Sequence, residues 1–250
     1  MISKLPGWVW GMSWVMAVLA GMINVTGVLG FAHEAVTHLT GVTTQLGAAL
    51  AGGDRGGALH LAGILGSFVA GATLCGLIVG ESTLAGRGRY AVVFLVESGL
   101  LVGAVPLLDG HRALGVFLTC GATGMQNAMV TAFTGSVVRA THLSGLFTDL
   151  GLLLGQLLRG LPPQARRWRL CVTVISGFLM GAVVGAWCFA AWSYHTLLIP
   201  AGATAVFGVL GVLGTGGGRE LRGGFWKLGR RRKPFVSTSV VEEVGPPAEK

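Results

Sequence analysis

Apolar residues are grouped along this chain in long runs that short polar connections separate. Six runs have the roughly 20 residues that an α-helix needs to cross about 30 Å of hydrocarbon. These predicted spans cover residues 8–30, 58–80, 90–108, 113–133, 170–192 and 196–214. The pattern predicts an all-helical protein that crosses a membrane several times.

Two further segments, 34–53 and 139–160, begin with polar residues and then become rich in leucine or alanine. Each contains an apolar helix of about 12 residues, which is too short to cross alone. Such a segment suits a broken or re-entrant helix, whose exposed backbone is tolerated only where protein or a water-filled cavity covers it. The alternative is that both segments cross fully, which gives eight spans.

The sequence contains an internal repeat. GMIN at 21–24 returns as GMQN at 124–127, and THLTG at 37–41 returns as THLSG at 141–145. A third match in the same order aligns Phe68, Gly71 and Ala72 with Phe178, Gly181 and Ala182. Matches in one order indicate a duplication.

The repeat divides the chain into a first half at 1–110, a second half at 111–216 and a tail at 217–250. Three crossings in each half would place the halves in opposite orientations, as in the inverted repeats of many transporters. Four crossings in each half would make the repeats parallel. We favour the inverted arrangement.

Small residues recur at four-residue spacing in two of the predicted spans, which favours close approach of helix backbones. They are Gly63, Ser67, Gly71 and Cys75 in one half, and Gly177, Gly181 and Gly185 in the other. The four cysteines lie within or beside apolar runs without CxxC spacing, so neither a disulfide framework nor a zinc site is expected. They are interpreted as packing residues.

Three motifs, Thr-x-x-Thr-Gly at 37–41, Gly-Met-Gln-Asn-Ala at 124–128 and Thr-Asp-Leu-Gly at 148–151, carry a family resemblance. On these motifs the chain resembles the YoaK-like multi-pass membrane proteins, a domain of unknown function numbered 1275. The resemblance covers about residues 15–215. It implies a bacterial inner-membrane protein without a settled activity. Asn24 stands where the family usually has Asp, and Val42 where it usually has Asn.

Charge is sparse, at 11% of residues, and unevenly placed: eight of the 18 Lys and Arg residues follow residue 217. Basic residues outside apolar spans orient a membrane protein and contact anionic lipids, so nucleic acid is not an expected partner. Six crossings with cytoplasmic termini put every basic residue except Arg55 and Arg112 inside. The tail is predicted to contact the lipid surface through Phe225, Trp226, Arg230, Arg231 and Arg232.

Polar residues within hydrocarbon are costly, so each one is a candidate functional residue. Glu97 lies near the middle of a span, where it either takes up and releases protons or locks two helices together by a hydrogen bond. Asn24, Gln126 and Asn127 occupy matching places in the two halves. They either line a path for a polar solute or cation, or form interhelical hydrogen bonds.

His38 and His142 are equivalent in the repeat, but two histidines without a third ligand do not predict a metal site. The neighbouring Thr40 and Ser144 are predicted to cap the short helices. The positive ends of those helices would then favour an anionic solute. Asp149 is predicted to pair with Arg139 as a clamp or a gate.

No hydrolase, metalloprotease or phosphate-loop motif is present, so neither an enzyme nor a cofactor is predicted. The sequence favours a channel or secondary transporter for a small solute or ion, with a central polar cavity lined by the candidate residues above. A non-catalytic scaffold or regulatory protein is the alternative, and a membrane-embedded enzyme is less favoured. Membrane lipids are expected partners, and a homo-oligomer is compatible with the sequence.

Overall fold

The structure, a computed structural model, describes residues 7–30, 39–80, 87–133 and 143–214. These residues form eight α-helices and one short 3-10 helix, and no strand is found among them. The α-helices are α1 (Gly7–Leu29), α2 (Leu39–Gly52), α3 (Arg55–Val79), α4 (Arg87–Asp109), α5 (Ala113–Phe133), α6 (Leu143–Leu158), α7 (Ala165–Trp192) and α8 (Leu198–Gly214). The 3-10 helix, Ser193–Leu197, connects α7 to α8.

The predicted spans correspond to α1, α3, α4, α5, α7 and α8, of which α8 is the shortest with 17 residues. The two intermediate segments form α2 and α6, which have 14 and 16 residues. Four stretches are long and apolar enough to cross a membrane: Gly7–Leu29, Arg55–Val79, Gly88–Asp109 and Ala165–Gly214. The last contains both α7 and α8. Helix α5 has 21 residues, but Gln126 and Asn127 lower its mean hydropathy. The described residues therefore form a helical bundle whose apolar helices are compatible with a membrane protein.

Helices α1 and α7 run in the same direction and cross closely. Three glycines of α7 lie against α1 in ascending order: Gly177 meets Trp14, Gly181 meets Val18 and Gly185 meets Met22. Helices α3 and α5 also run in the same direction, since Gly63 faces Phe117 and Gly71 faces Gly121. The predicted close approach along the small-residue stripes is confirmed.

The two crossings use residues that the sequence repeat makes equivalent. A methyl group on Gly21 would overlap the carbonyl oxygen of Phe178, and one on Gly124 would overlap the carbonyl oxygen of Phe68. Gly21 aligns with Gly124 in the repeat, and Phe68 aligns with Phe178. The same helix–helix contact is therefore made twice, with the two halves exchanging roles.

Helix α4 runs antiparallel to both α5 and α8. Leu108 contacts Gly115 across the short turn to α5, and the rings of Phe94 and Phe207 pack 5.6 Å apart between α4 and α8. Farther along, the carboxylate of Asp109 lies 3.7 Å from Nδ1 of His195, just before α8 begins. These pairs place the start of α8 beside the end of α4.

One end of the bundle, named here the Asp109 end, holds the end of α4 and the beginnings of α5 and α8. Helix α1 also ends there, because Gly30 packs against the ring of Tyr194 in the 3-10 helix. The parallel partner of α1, helix α7, ends there too. Helix α3 begins there, since it is parallel to α5.

The opposite end is named here the Arg169 end. The guanidinium group of Arg169, near the start of α7, lies 4.9 Å from the centre of the Trp10 ring near the start of α1. Arg89, near the start of α4, donates a hydrogen bond of 3.1 Å to the carbonyl of Val79 at the end of α3. Helices α1, α4 and α7 therefore begin at this end, and α3, α5 and α8 finish there.

The short helix α2 packs back on α3 through a tight turn. Gly53 has a positive φ of 73°, which glycine adopts without steric cost. Asp54 caps α3 by accepting a hydrogen bond of 2.9 Å from the backbone N–H of Gly57. Helix α2 therefore ends at the Asp109 end, and it has about 21 Å of length from its 14 residues.

The short helix α6 packs back on α7 in the same manner, at the Arg169 end. The side chain of Gln164 donates to the side chain of Gln156 at 3.1 Å, and Arg167 pairs with Asp149 at 3.1 Å. With 16 residues, α6 is about 24 Å long. Neither short helix matches the roughly 30 Å of a hydrocarbon core.

Candidate functional site

Five polar side chains are fully enclosed in the described part of the bundle: Thr123, Thr196, Thr204, Glu97 of α4 and Gln126 of α5. The hydroxyl of Thr196 has no hydrogen-bond partner. The two largest of the five side chains are those of Glu97 and Gln126. Each has 0% of its surface exposed. Both carboxyl oxygens of Glu97 and both amide atoms of Gln126 have no hydrogen-bond partner. We call these two residues the buried polar pair.

Helix packing places the buried polar pair at one depth. Gly103 faces Leu118 and Leu108 faces Gly115, so α4 and α5 run antiparallel. Continuing this register by six residues brings Glu97 level with the part of α5 that contains Gln126. Glu97 lies close to the midpoint of its 23-residue helix, far from both ends.

Apolar packing holds Glu97 in place along its own helix. Val93, Phe94 and Leu101, one turn away on either side, are all buried. These positions share one helix face with Glu97, and that face turns inward. Glu97 therefore lies near the middle of a helix that is long and apolar enough to cross a membrane.

Helix α3 contributes a further buried group near Glu97. Cys75 is fully buried and belongs to the same packed cluster as Val93 and Phe94, which lie one turn before Glu97 on α4. The sequence identified Cys75 only as a packing residue, because its approach to Glu97 depends on how α3 and α4 meet. The described cysteines are all free thiols.

Buried polar atoms without a hydrogen-bond partner, such as those of Glu97 and Gln126, are unusual in a folded protein. More than nine-tenths of buried polar groups in proteins have a hydrogen-bond partner, and each exception calls for an explanation. An unsatisfied buried group costs about 1–3 kcal/mol, and a charged one costs more. The buried polar pair is therefore the strongest candidate site in the described residues.

Asn127 and Asn24 differ from Gln126 although the sequence grouped all three. The side chain of Asn127 donates a hydrogen bond of 3.1 Å to the carbonyl of Thr123 on its own helix. Asn24 is half-buried, has a polar partner and lies near the Asp109 end of α1. Asn127 lies in the part of α5 nearer the Arg169 end. The two asparagines therefore lie towards opposite ends of the bundle.

The capping prediction for the short helices is wrong for Thr40 and Ser144. Helices α2 and α6 begin at Leu39 and Leu143, so both residues lie inside the first turn and are exposed. Their carbonyls accept hydrogen bonds of 3.0 Å from the hydroxyls of the threonines four residues later. His38 and His142 lie outside the described residues.

Asp149 lies at the bundle surface and not at the central site. It pairs with Arg167 at 3.1 Å, and both side chains are about two-fifths exposed, at 39% and 38%. The predicted partner was Arg139, which lies outside the described residues. The contact with Arg167 arises because α7 returns along α6 and brings two residues that are distant in sequence together.

A cavity of about 10 Å³ lies at the Asp109 end, between α1, α4, α5 and the 3-10 helix. Thr26 and Thr119 line it, but their hydroxyls donate to backbone carbonyls of their own helices, each at 2.9 Å. This volume is about that of one water molecule. The rest of the lining consists of Gly27, Leu108, Val116, Tyr194 and Leu197.

Among the residues that the structure describes, no group of three His, Cys, Asp or Glu side chains could hold a metal ion. The predicted lipid-contacting residues of the tail, Phe225, Trp226, Arg230, Arg231 and Arg232, lie beyond the described residues.

Comparison with known proteins agrees with the resemblance inferred from the motifs. No curated protein and no solved structure matches the chain. One family does match, described as "Protein of unknown function (DUF1275)", and the match covers residues 12–210. It includes α2 to α7 in full, most of α1 and α8, and the buried polar pair, and it leaves out the tail. The chain therefore belongs to the DUF1275 family of proteins of unknown function.

Proposed function

We propose that this protein passes a small polar solute or an ion across a bacterial inner membrane, as a channel or a secondary transporter. The observation that carries the proposal is the buried polar pair, Glu97 and Gln126, with four unpartnered polar atoms in the middle of an apolar bundle. Polar groups at that depth are characteristic of solute, ion or proton pathways. Amide and carboxyl groups together offer both donors and acceptors to a polar solute.

We propose further that the chain crosses the membrane six times. Helix α1 finishes at the Asp109 end and α3 begins at the same end, so the chain between them returns to the side that it left. Helix α2 belongs to this returning segment, and at about 21 Å it is shorter than a full crossing. This supports a re-entrant helix.

The second half of the chain supports the same arrangement of crossings, but its returning segment lies at the Arg169 end and not at the Asp109 end. Helix α5 finishes at the Arg169 end and α7 begins there, so α6 belongs to a segment that returns to that side. Three crossings in each half give opposite orientations to the halves. The paired contacts of Gly21 with Phe178 and of Gly124 with Phe68 fit such an inverted duplication.

The distribution of charge supports the orientation. Arg55 and Arg112 are the described arginines at the Asp109 end, whereas Arg89, Arg159, Arg166, Arg167 and Arg169 lie at the other end. Because cytoplasmic connections carry the excess of Lys and Arg, we place the Arg169 end and both chain termini in the cytoplasm.

Cysteine labelling of a cysteine-free chain tests this topology. Arg55→Cys and His111→Cys are expected to react with an impermeant maleimide in intact cells. Ser82→Cys and Gln164→Cys are expected to react only after permeabilisation, because they belong to connections at the Arg169 end. Labelling of Ser82→Cys from outside, with Arg55→Cys protected, would instead support eight crossings and parallel repeats.

Flux measurements on proteoliposomes test the transport function. Light scattering after mixing with glycerol, urea or potassium chloride is expected to show faster equilibration of at least one probe than in protein-free liposomes. Gln126→Met is expected to abolish the acceleration, because it removes the amide at the centre. Gln45→Met is the matched control, since Gln45 is exposed on α2, and it should retain the flux. Equal rates with and without protein for every probe would contradict the proposed function.

A further inference from the structure

We infer that Glu97 is a proton-binding site. The inference rests on the proposed function and deepens it by naming the ion that occupies the central carboxyl group. It is carried by three features of the described residues: the enclosure of Glu97, the position of the cationic groups, and the lack of a group of side chains that could hold a metal ion.

Because Glu97 is fully enclosed, a negative charge on its carboxyl group needs a cation to neutralise it. Neither carboxyl oxygen has a hydrogen-bond partner, and the side chain is fully buried. An unpaired carboxylate in such surroundings is strongly disfavoured. A bound cation must therefore neutralise the group whenever the site is closed.

Among the described residues, no arginine supplies the positive charge that would neutralise the Glu97 carboxylate. Arg55 is the first residue of α3, at the opposite end of that helix from Cys75. The guanidinium group of Arg89, on α4 itself, donates to the carbonyl of Val79 at the Arg169 end. Glu97 takes part in none of the ion pairs found in the described chain.

The helices packed on α4 contribute few other titratable groups. Helix α3 contains Cys75 and, towards its other end, His60 and Arg55; α5 contains Cys120, and α8 contains no titratable residue. The 3-10 helix contributes Tyr194 and His195, which lie beside Asp109 at the far end of α4. On α4 itself the remaining groups are Arg87, Arg89, Tyr90 and Asp109.

A proton fits this site better than a metal ion does. Hard metal cations surround themselves with several oxygen ligands. Among the described residues, no group of three His, Cys, Asp or Glu side chains could hold such an ion. A proton needs one carboxyl oxygen and no further ligand.

Labelling with dicyclohexylcarbodiimide, which reacts with protonated carboxyl groups in apolar surroundings, tests proton occupancy in the full-length protein. Mass spectrometry is expected to find an adduct on Glu97 that forms faster as the pH falls. Replacing choline chloride with sodium or potassium chloride should leave the rate unchanged. Glu97→Gln should lose the adduct, whereas Asp109→Asn should keep it. Absence of an adduct on Glu97, or protection by sodium or potassium ions, would overturn the proton site.

The two proposals fail separately. A pH-dependent adduct on Glu97 in a protein that transports no probe would refute the transport function and leave the proton site standing. Probe flux that survives in Glu97→Gln, without any adduct in the wild type, would refute the proton site alone.

Discussion

Gly71→Ala is expected to destabilise the folded protein, whereas Gly66→Ala, five residues earlier on α3, is expected to leave it nearly unchanged. A Cβ atom on Gly71 would overlap the backbone carbonyl of Gly121 on α5, and a backbone atom cannot move aside as a flexible side chain can. A Cβ atom on Gly66 meets nothing within 4 Å. Overpacking of this kind costs about 1–3 kcal/mol, and we expect the upper part of that range.

The measurement is the thermal unfolding midpoint of the purified protein in one detergent. Gly71→Ala should lower the midpoint by several degrees, since about 1 kcal/mol corresponds to roughly 2–4 °C in a chain of this size. Gly181→Ala should behave in the same way, because Gly181 makes the equivalent contact with Val18 in the other half. Equal midpoints for Gly71→Ala and Gly66→Ala would show that the α3–α5 crossing is looser than described.

Gln126→Met is expected to stabilise the protein while it removes transport. Methionine has nearly the same shape as glutamine, and it replaces two orphaned polar atoms with apolar ones. Removing an unsatisfied buried polar group recovers about 1–3 kcal/mol. A gain in stability with a loss of flux would identify Gln126 as a residue retained for function.

The neighbouring residue provides the control. Asn127→Leu is expected to destabilise the protein, because the Asn127 side chain donates a hydrogen bond to the carbonyl of Thr123. The test compares the thermal unfolding midpoints of Gln126→Met and Asn127→Leu in the same detergent. A fall in stability for Gln126→Met, equal to that of Asn127→Leu, would mean that the amide of Gln126 is satisfied in the folded protein.

The glycine variants test the close packing of the helix bundle, and the Gln126 variant tests the polar residues in its interior. Gly71 and Gly181 allow the helices to approach so closely that van der Waals contact replaces the hydrophobic effect, which is weak between helices in lipid. Glu97 and Gln126 introduce polar atoms into the interior that this packing creates. Stability and function therefore place different demands on neighbouring positions.

Much of the secondary structure followed from the sequence. The helix at 113–133 has the predicted limits, and the segments at 34–53 and 139–160 contain the two short helices. The prediction succeeded because a membrane span needs a long apolar run, and such a run is visible without tertiary information. Capping at Thr40 and Ser144 failed because α2 and α6 begin before those residues.

Less of the candidate site could be predicted. Glu97 was identifiable, because a single carboxylate in the middle of an apolar run is conspicuous. The approach of Cys75 to Glu97 and the pairing of Arg167 with Asp149 were not, because each joins two helices whose contact the residue spacing does not reveal. Gln126 and Asn127 are adjacent amides in the sequence, but only one of them has a hydrogen-bond partner.

The sequence by itself determined the membrane class, the long and short helices, the small-residue stripes and the position of a carboxyl group in the middle of a span. These depend on composition and periodicity, which act along one segment at a time. The tertiary structure alone decided which helices run in parallel, which end of the bundle each helix reaches, and which polar atoms remain unpartnered. These properties depend on contacts between distant segments, where close backbone packing selects one arrangement.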